Sequence, residues 1–198
     1  MAENHDDKTT VVAVLAGDRQ RFAHFVRRYY GPLLHLATNR LGNESLAEDA
    51  VQDALICAYR SLHTYKPEYS FRTWLWTILL NQCRRHGRRN AKRPIQCESI
   101  NDKLDTAGID ADRTTPEIAA MTAERAKLLS GLLNEIPEVQ ADAIRLRFFG
   151  QLKFREIADT MSSSLGAAKQ RVKNGLLTIG ELLRERDLVD SVFPEDKT

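Results

Sequence analysis

With 198 residues and 42% hydrophobic side chains, the chain can form one packed domain or two small ones. No apolar run approaches a bilayer span, and three cysteines make no disulfide framework, so membrane insertion and a disulfide scaffold are excluded. The net charge of +2 and the pI near 8.5 do not by themselves mark a nucleic-acid binder.

The opening residues, Met1 to Lys8, hold no apolar segment of the secretory kind, so a cytoplasmic protein with reduced thiols is expected. Thr10 to Ala16 reads as a short apolar turn stopped by Gly17. Asp18 can cap a helix carrying Phe22, Phe25, Val26 and Tyr29. Gly31-Pro32 is expected to break that helix, with Pro32 in the first turn of the next, which ends near Gly42. Ser45-Leu46-Ala47-Glu48 has the form of a capping box and opens a helix to about Leu62. Val51, Ala54, Leu55, Ala58 and Leu62 form its buried stripe. Asp49, Gln52, Asp53 and Arg60 share the other side with Ile56, either as a docking point for a basic partner or as a solvated face with one stray apolar residue.

After a loop from Thr64 to Tyr69, Ser70 caps a long helix from Phe71 to about Arg89. This helix is apolar nearly all round. Phe71, Trp74, Leu75, Ile78 and Leu79 make one face, with Trp76 and Leu80 on the other. Trp76 either packs on a neighbouring helix or offers an aromatic surface to unpaired bases. The basic run Arg84 to Arg93 follows, and then an acidic stretch to Thr115 holding Glu98, Asp102, Asp105, Asp110 and Asp112. Residues 94–114 have weak periodicity and read as a linker. Cys83, His86 and Cys97 match no standard zinc spacing. There is no phosphate loop and no catalytic triad, so no catalytic residue, cofactor or metal is expected.

Thr115-Pro116-Glu117 begins the next helix, and Pro137 starts another. Phe154 to Met161, a serine turn and a helix from Leu165 make a helix-turn-helix. In the last helix Leu165, Ala168, Val172, Leu176 and Ile179 are expected to be buried. Ala167, Gln170, Arg171 and Asn174 lie opposite with Lys173 beside them, the kind of face that reaches bases and phosphates. An ordinary amphipathic hairpin is the alternative. Ala158 is small where the helices cross, and Ser163 or Ser164 can cap the last helix. The tail after Arg186 is read as loose.

Glu48 to Leu62, Ser70 to Ile78 and Asn81 together resemble region 2 of bacterial RNA polymerase sigma factors, nearest the extracytoplasmic-function (ECF) class. Ile136-Pro137, Glu156-Ile157-Ala158 and Gly166-Ala167-Ala168-Lys169-Gln170-Arg171 resemble region 4 of the same class. The resemblance implies an all-α fold of two small helical domains, 20–93 and 117–184, joined by a flexible linker over 94–116.

It also implies roles. Asp49, Gln52, Asp53, Ile56 and Arg60 would grip core RNA polymerase. Tyr65, Lys66, Tyr69, Ser70, Arg72, Trp76, Asn81, Arg84, Arg85 and Arg88 would hold the melted minus-ten strand. Ser164, Ala167, Lys169, Gln170, Arg171, Lys173 and Asn174 would face the duplex minus-thirty-five element. The acidic linker would thread the polymerase's nucleic-acid channel, and an anti-sigma factor is a further partner the resemblance allows. Where the family usually has Gly-Thr-Val-Lys-Ser-Arg, this chain has Ala167, Ala168 and Gln170, and Asn174-Gly175 replaces a typical Arg-Ala pair. Fewer phosphate contacts are therefore expected. The expected function is promoter-specific transcription initiation without catalysis. The alternatives are a stand-alone helix-turn-helix regulator and a helical interaction protein that binds no DNA.

Overall fold

The computed structural model describes residues 2–91 and 116–188, with side chains placed for 6–90 and 124–188. The expected linker, Pro116 apart, and Cys97 lie outside the described residues. Among the described residues the chain is all helix, in two packed units.

The first unit holds α1 (Ala2–Leu15), α2 (Phe22–Leu41), α3 (Glu44–Ser61) and α4 (Phe71–Ala91). The expected turn at Thr10–Ala16 is the end of a longer helix, α1, which stops where Gly17 takes a φ of +110°. Val11 and Val14 bury α1 against the core. Its Asp7, only 2% exposed, accepts from the Tyr29 hydroxyl at 2.5 Å and from Arg28 at 3.1 Å. Burial raises the pKa of Asp7 even though Tyr29 and Arg28 pull it down.

The break expected at Gly31-Pro32 does not occur, and α2 runs through Pro32. Phe22, Phe25, Tyr29, Leu33 and Leu36 make one continuous buried stripe across the proline. Each such side chain contributes about 1.5–3 kcal/mol on burial. Together they outweigh the roughly 3 kcal/mol that an internal proline costs. Gly42, at φ +65°, ends α2 by donating its N–H to the Thr38 carbonyl. The cap of α3 is Asn43 rather than Ser45, with Asn43 Oδ1 accepting from the Leu46 N–H at 2.8 Å. Ala47, Ala50, Ala54 and Ala58 are fully buried, and their small size lets α2 and α4 pack close to α3. Across this core Phe25 stacks on Phe71, with centroids 3.9 Å apart and planes 18° apart.

The second unit holds α5 (Pro116–Glu135), α6 (Glu138–Phe148), α7 (Phe154–Thr160) and α8 (Leu165–Glu185). Helix α8 packs on α6 and α7. Ser164 caps it, accepting from the Ala167 N–H at 3.1 Å, and Ser162 takes the left-handed conformation (φ 48°) that such turns often assign to glycine. Ala168, Val172 and Ile179 are buried as expected, but Leu165 and Leu176 are 45% and 44% exposed. Gly175 takes the buried place instead. A Cβ at Gly175 would lie 2.7 Å from Ile144 Cδ1 and 3.2 Å from Gln140 Cβ. The missing side chain lets α6 cross closely there, which turns the buried stripe away from Leu176.

Candidate nucleic-acid and docking surfaces

Opposite the alanine-rich stripe of α3, Asp49, Gln52, Ile56 and Arg60 all reach solvent. Ile56 is 49% exposed and Tyr59, one turn on, is 39% exposed, so the face carries a small apolar ridge among polar groups. The Tyr59 ring also meets Phe22 edge-on at 5.1 Å, which holds it in place. Periodicity did not single out Tyr59, because an aromatic near the end of a helix reads equally well as core. Asp53 is half-buried and pairs with His86 Nε2 of α4 at 2.9 Å.

The ten residues expected at the minus-ten strand divide into three groups. Lys66, Tyr69, Asn81, Arg85 and Arg88 are all exposed. Tyr65 and Trp76 are withdrawn from any stacking on bases in this structure. Tyr65 is 8% exposed, donates to the Tyr69 carbonyl at 2.8 Å, and meets Phe71 and Trp74 edge-on. It pins the loop to the core. Trp76 is 1% exposed, and its Nε1 has no hydrogen-bond partner among the described residues.

The remaining three touch the second unit. The Ser70 hydroxyl caps α4, accepting from the Thr73 N–H at 3.1 Å, and lies 3.3 Å from Glu156 Oε1. Arg72 donates to the carbonyls of Gly150 at 2.8 Å and Gln151 at 2.5 Å. Arg84 lies 3.4 Å from Asp142 Oδ2 and 3.8 Å from Glu138 Oε1.

These contacts belong to a charged seam between the units that the sequence reading missed. Asp142 is fully buried and accepts from Arg40 Nε at 2.8 Å. Arg145, on the same helix as Asp142, reaches back to Asn39 Oδ1 at 2.8 Å and to Asn134 Oδ1 at 2.7 Å. Burial drives the pKa of Arg145 down to about 10, only partly offset by Asp142. Burial also opposes the charge on Arg40, yet Asp142 and Glu138 raise its pKa overall. One signal was available in the sequence: Asp142 and Arg145 are charges set among Ala141, Ala143, Ile144 and Leu146, where an ordinary surface helix would show one polar side.

At the start of α8, Ser164, Lys169, Gln170 and Lys173 lie toward solvent, while Ala167, Arg171 and Asn174 are half-buried. Gln170 Nε2 donates to Asn174 Oδ1 at 2.7 Å, so these two amides form one unit. Lys153 and Arg155 add exposed positive charge beside α7. The result is a polar, basic helix start on the second helix of a helix-turn-helix, the element that enters a major groove. Burial pushes the Cys83 thiol up to about 11, as expected of a thiol held in an apolar core.

Residues 25–93 match sigma-70 region 2 and residues 126–179 match sigma-70 region 4. The chain is 27% identical over 175 residues to the ECF RNA polymerase sigma-E factor of Haemophilus influenzae, covering 87% of this chain and 92% of that one. It is also 27% identical to the RNA polymerase sigma-H factor of Pseudomonas aeruginosa, covering 87% and 91%. The chain belongs to the extracytoplasmic-function sigma factors. Two solved structures share the fold of this ECF sigma factor. CnrH, in complex with the cytosolic domain of CnrY, gives a TM-score of 0.68 at 20% identity, covering 91% of this chain and 98% of that one. The Bartonella quintana sigma factor RpoE, in complex with the anti-sigma factor NepR, gives 0.60 at 23% identity, covering 82% and 96%.

Proposed function

We propose that this ECF sigma factor docks on core RNA polymerase through the exposed α3 face and reads promoter DNA with α4 and α8. One observation carries the reading. A polar face with a half-exposed isoleucine and a basic helix-turn-helix face lie on opposite units of one chain, in the order of sigma regions 2 and 4.

Asp49, Gln52, Asp53, Ile56 and Arg60 meet the polymerase, with Ile56 burying its exposed half. Lys66, Tyr69, Arg72 and Arg84 hold the melted minus-ten strand, with Arg85 and Arg88 supplying charge for its backbone. Arg171, Gln170 and Asn174 face the minus-thirty-five bases, and Lys169 and Lys173 face phosphates. Captured bases offset an unpairing cost of a few kcal/mol, so strand opening is driven by binding and not by a covalent step. A stand-alone regulator has no use for the α3 face and is not favoured. CnrH and the Bartonella sigma factor are each held by a second protein, and an anti-sigma partner is proposed here on that likeness.

The test is run-off transcription from fragments of the source genome with purified core polymerase. Specific transcripts are expected only when this chain is added. No difference from core alone overturns the reading.

A further inference from the structure

Two buried donors beside one cavity have no acceptor. Arg72 and Trp76 stand four residues apart on α4 and so share one face of that helix. Both line a cavity of about 210 Å³, bounded from α2 by Arg28 and Tyr29 and from the loop after α6 by Phe149 and Gln151. Trp76 is 1% exposed, and neither its Nε1 nor the buried Nε of Arg72 has a hydrogen-bond partner among the described residues. A buried N–H without an acceptor costs free energy comparable to a lost hydrogen bond.

The charge of Arg72 is also unmatched. Its Nη2 donates to the carbonyls of Gly150 and Gln151, which carry no net charge. Among the described residues no carboxylate pairs with it. Arg28 differs, because Asp6 and Asp7 meet its charge at 3.2 and 3.1 Å. The Tyr29 hydroxyl is likewise taken by Asp7. The uncompensated positive charge at this cavity is therefore that of Arg72. The facing wall is bent to reach it. Gln151 sits at φ 51°, in the left-handed region, and its carbonyl accepts from Arg72. Backbone strain of this kind gathers at ligand clamps. Gln151 is exposed, so its amide stands where the cavity meets solvent.

A small anion answers all three features. Its oxygens accept from both orphaned donors, and its charge balances the half-buried guanidinium. A water molecule would accept a hydrogen bond but bring no charge. One water needs only about 10–15 Å³, so this cavity has room for a tetrahedral oxyanion. A planar carboxylate presents two oxygens on one side, whereas a phosphate presents several, which suits donors converging from α4 and from the loop. We propose that this cavity is a binding site for a phosphate group, carried by free orthophosphate or by the end of a nucleotide, and held by Arg72 Nε and Trp76 Nε1 with the Gln151 amide at its mouth. The site needs neither polymerase nor promoter, so it stands or falls apart from the sigma reading.

Orthophosphate titrated into the full chain tests it, with sodium chloride adjusted to hold ionic strength constant. Calorimetry reports affinity. Proton–nitrogen correlation spectra follow the indole N–H peaks of Trp74 and Trp76, and Trp74→Phe assigns them. Expected are saturable one-to-one binding and movement of the Trp76 peak. Trp76→Phe keeps an aromatic ring in the core and removes the donor. It should weaken binding about tenfold or more, the loss of one hydrogen bond to a charged group. Gln151→Gly, which suits the left-handed backbone, is the second variant if Trp76→Phe loses its helical signal. It should weaken binding about threefold or more. ADP separates the two sources: tighter binding than orthophosphate assigns a nucleotide, and weaker binding assigns the free ion. A Trp76 peak that moves with neither ligand overturns the site, as does a folded Trp76→Phe that binds as tightly as wild type. If a single-stranded oligonucleotide moves that peak where orthophosphate and ADP do not, the cavity belongs to the DNA strand and the proposal fails.

Discussion

Ile56 allows the polymerase-docking proposal to be stated in numbers. It is 49% exposed on α3, opposite Ala54 and Ala58, which are fully buried. Burying a whole aliphatic side chain is worth about 1.5–3 kcal/mol. Docking that covers the exposed half of Ile56 therefore gains about 0.7–1.5 kcal/mol. Ile56→Ala should weaken binding to core polymerase about three- to tenfold. Ile56→Glu loses the same burial and also leaves a carboxylate to be desolvated without a partner, at a further cost of about 1–3 kcal/mol. It should therefore weaken binding by about twentyfold or more. Neither change touches the buried stripe, so helical content and thermal midpoint should stay near wild type. The assay is equilibrium binding of labelled full chain to core polymerase, with circular dichroism on the same preparations. Folded Ile56→Glu with an affinity within about twofold of wild type would show that α3 does not dock through this face.

Three further outcomes follow from the same structure. Arg171→Ala should relax base preference at one position of the upstream element, at about 1–3 kcal/mol for a lost bidentate contact. Lys173→Ala should weaken all duplexes alike and lower the salt slope by roughly one unit. Equal loss on every sequence for Arg171→Ala would make that residue a phosphate contact. Tyr69→Ala should cost about 1–3 kcal/mol in binding of the minus-ten strand to the polymerase-bound protein, measured by fluorescence anisotropy. Tyr65→Phe should instead lower the thermal midpoint by losing the bond to the Tyr69 carbonyl, and the reverse pattern would mean that Tyr65 is the stacking ring. Burial lowers the pKa of His35 below its ordinary 6.5, with the ring 4.9 Å from Phe149 across the seam. The unfolded chain then binds a proton where the folded chain does not. Stability is lost as pH falls from about 6.5 toward the lowered folded value. His35→Leu should flatten urea-denaturation stability over that window, and an unchanged slope would exclude His35 as its source.

Local signals settled a good deal of this protein from the sequence. The Ser164 cap, the Gly42 stop, the Ser70 cap and the helix-turn-helix around Ala158 all depend on atoms a few residues apart, and each appears where the pattern placed it. The order of regions 2 and 4 was legible for the same reason, because each motif is a local helix pattern. What the sequence did not reveal depended on how separate elements packed against one another. Whether α2 survived Pro32 was decided by the core under Phe25 and Leu33. Whether Tyr65 or Tyr69 faced solvent was decided by the rings of Phe71 and Trp74. Whether Leu176 or Gly175 was buried was decided by Ile144 crossing α8. The seam that joins Arg40 to Asp142 and Arg145 to Asn39 spans 102 and 106 residues of sequence. Helix periodicity records which face of a helix is polar, but it cannot say which other helix that face will meet. Only the tertiary structure could bring those charges together, because burying each one requires its partner to arrive from the other half of the chain.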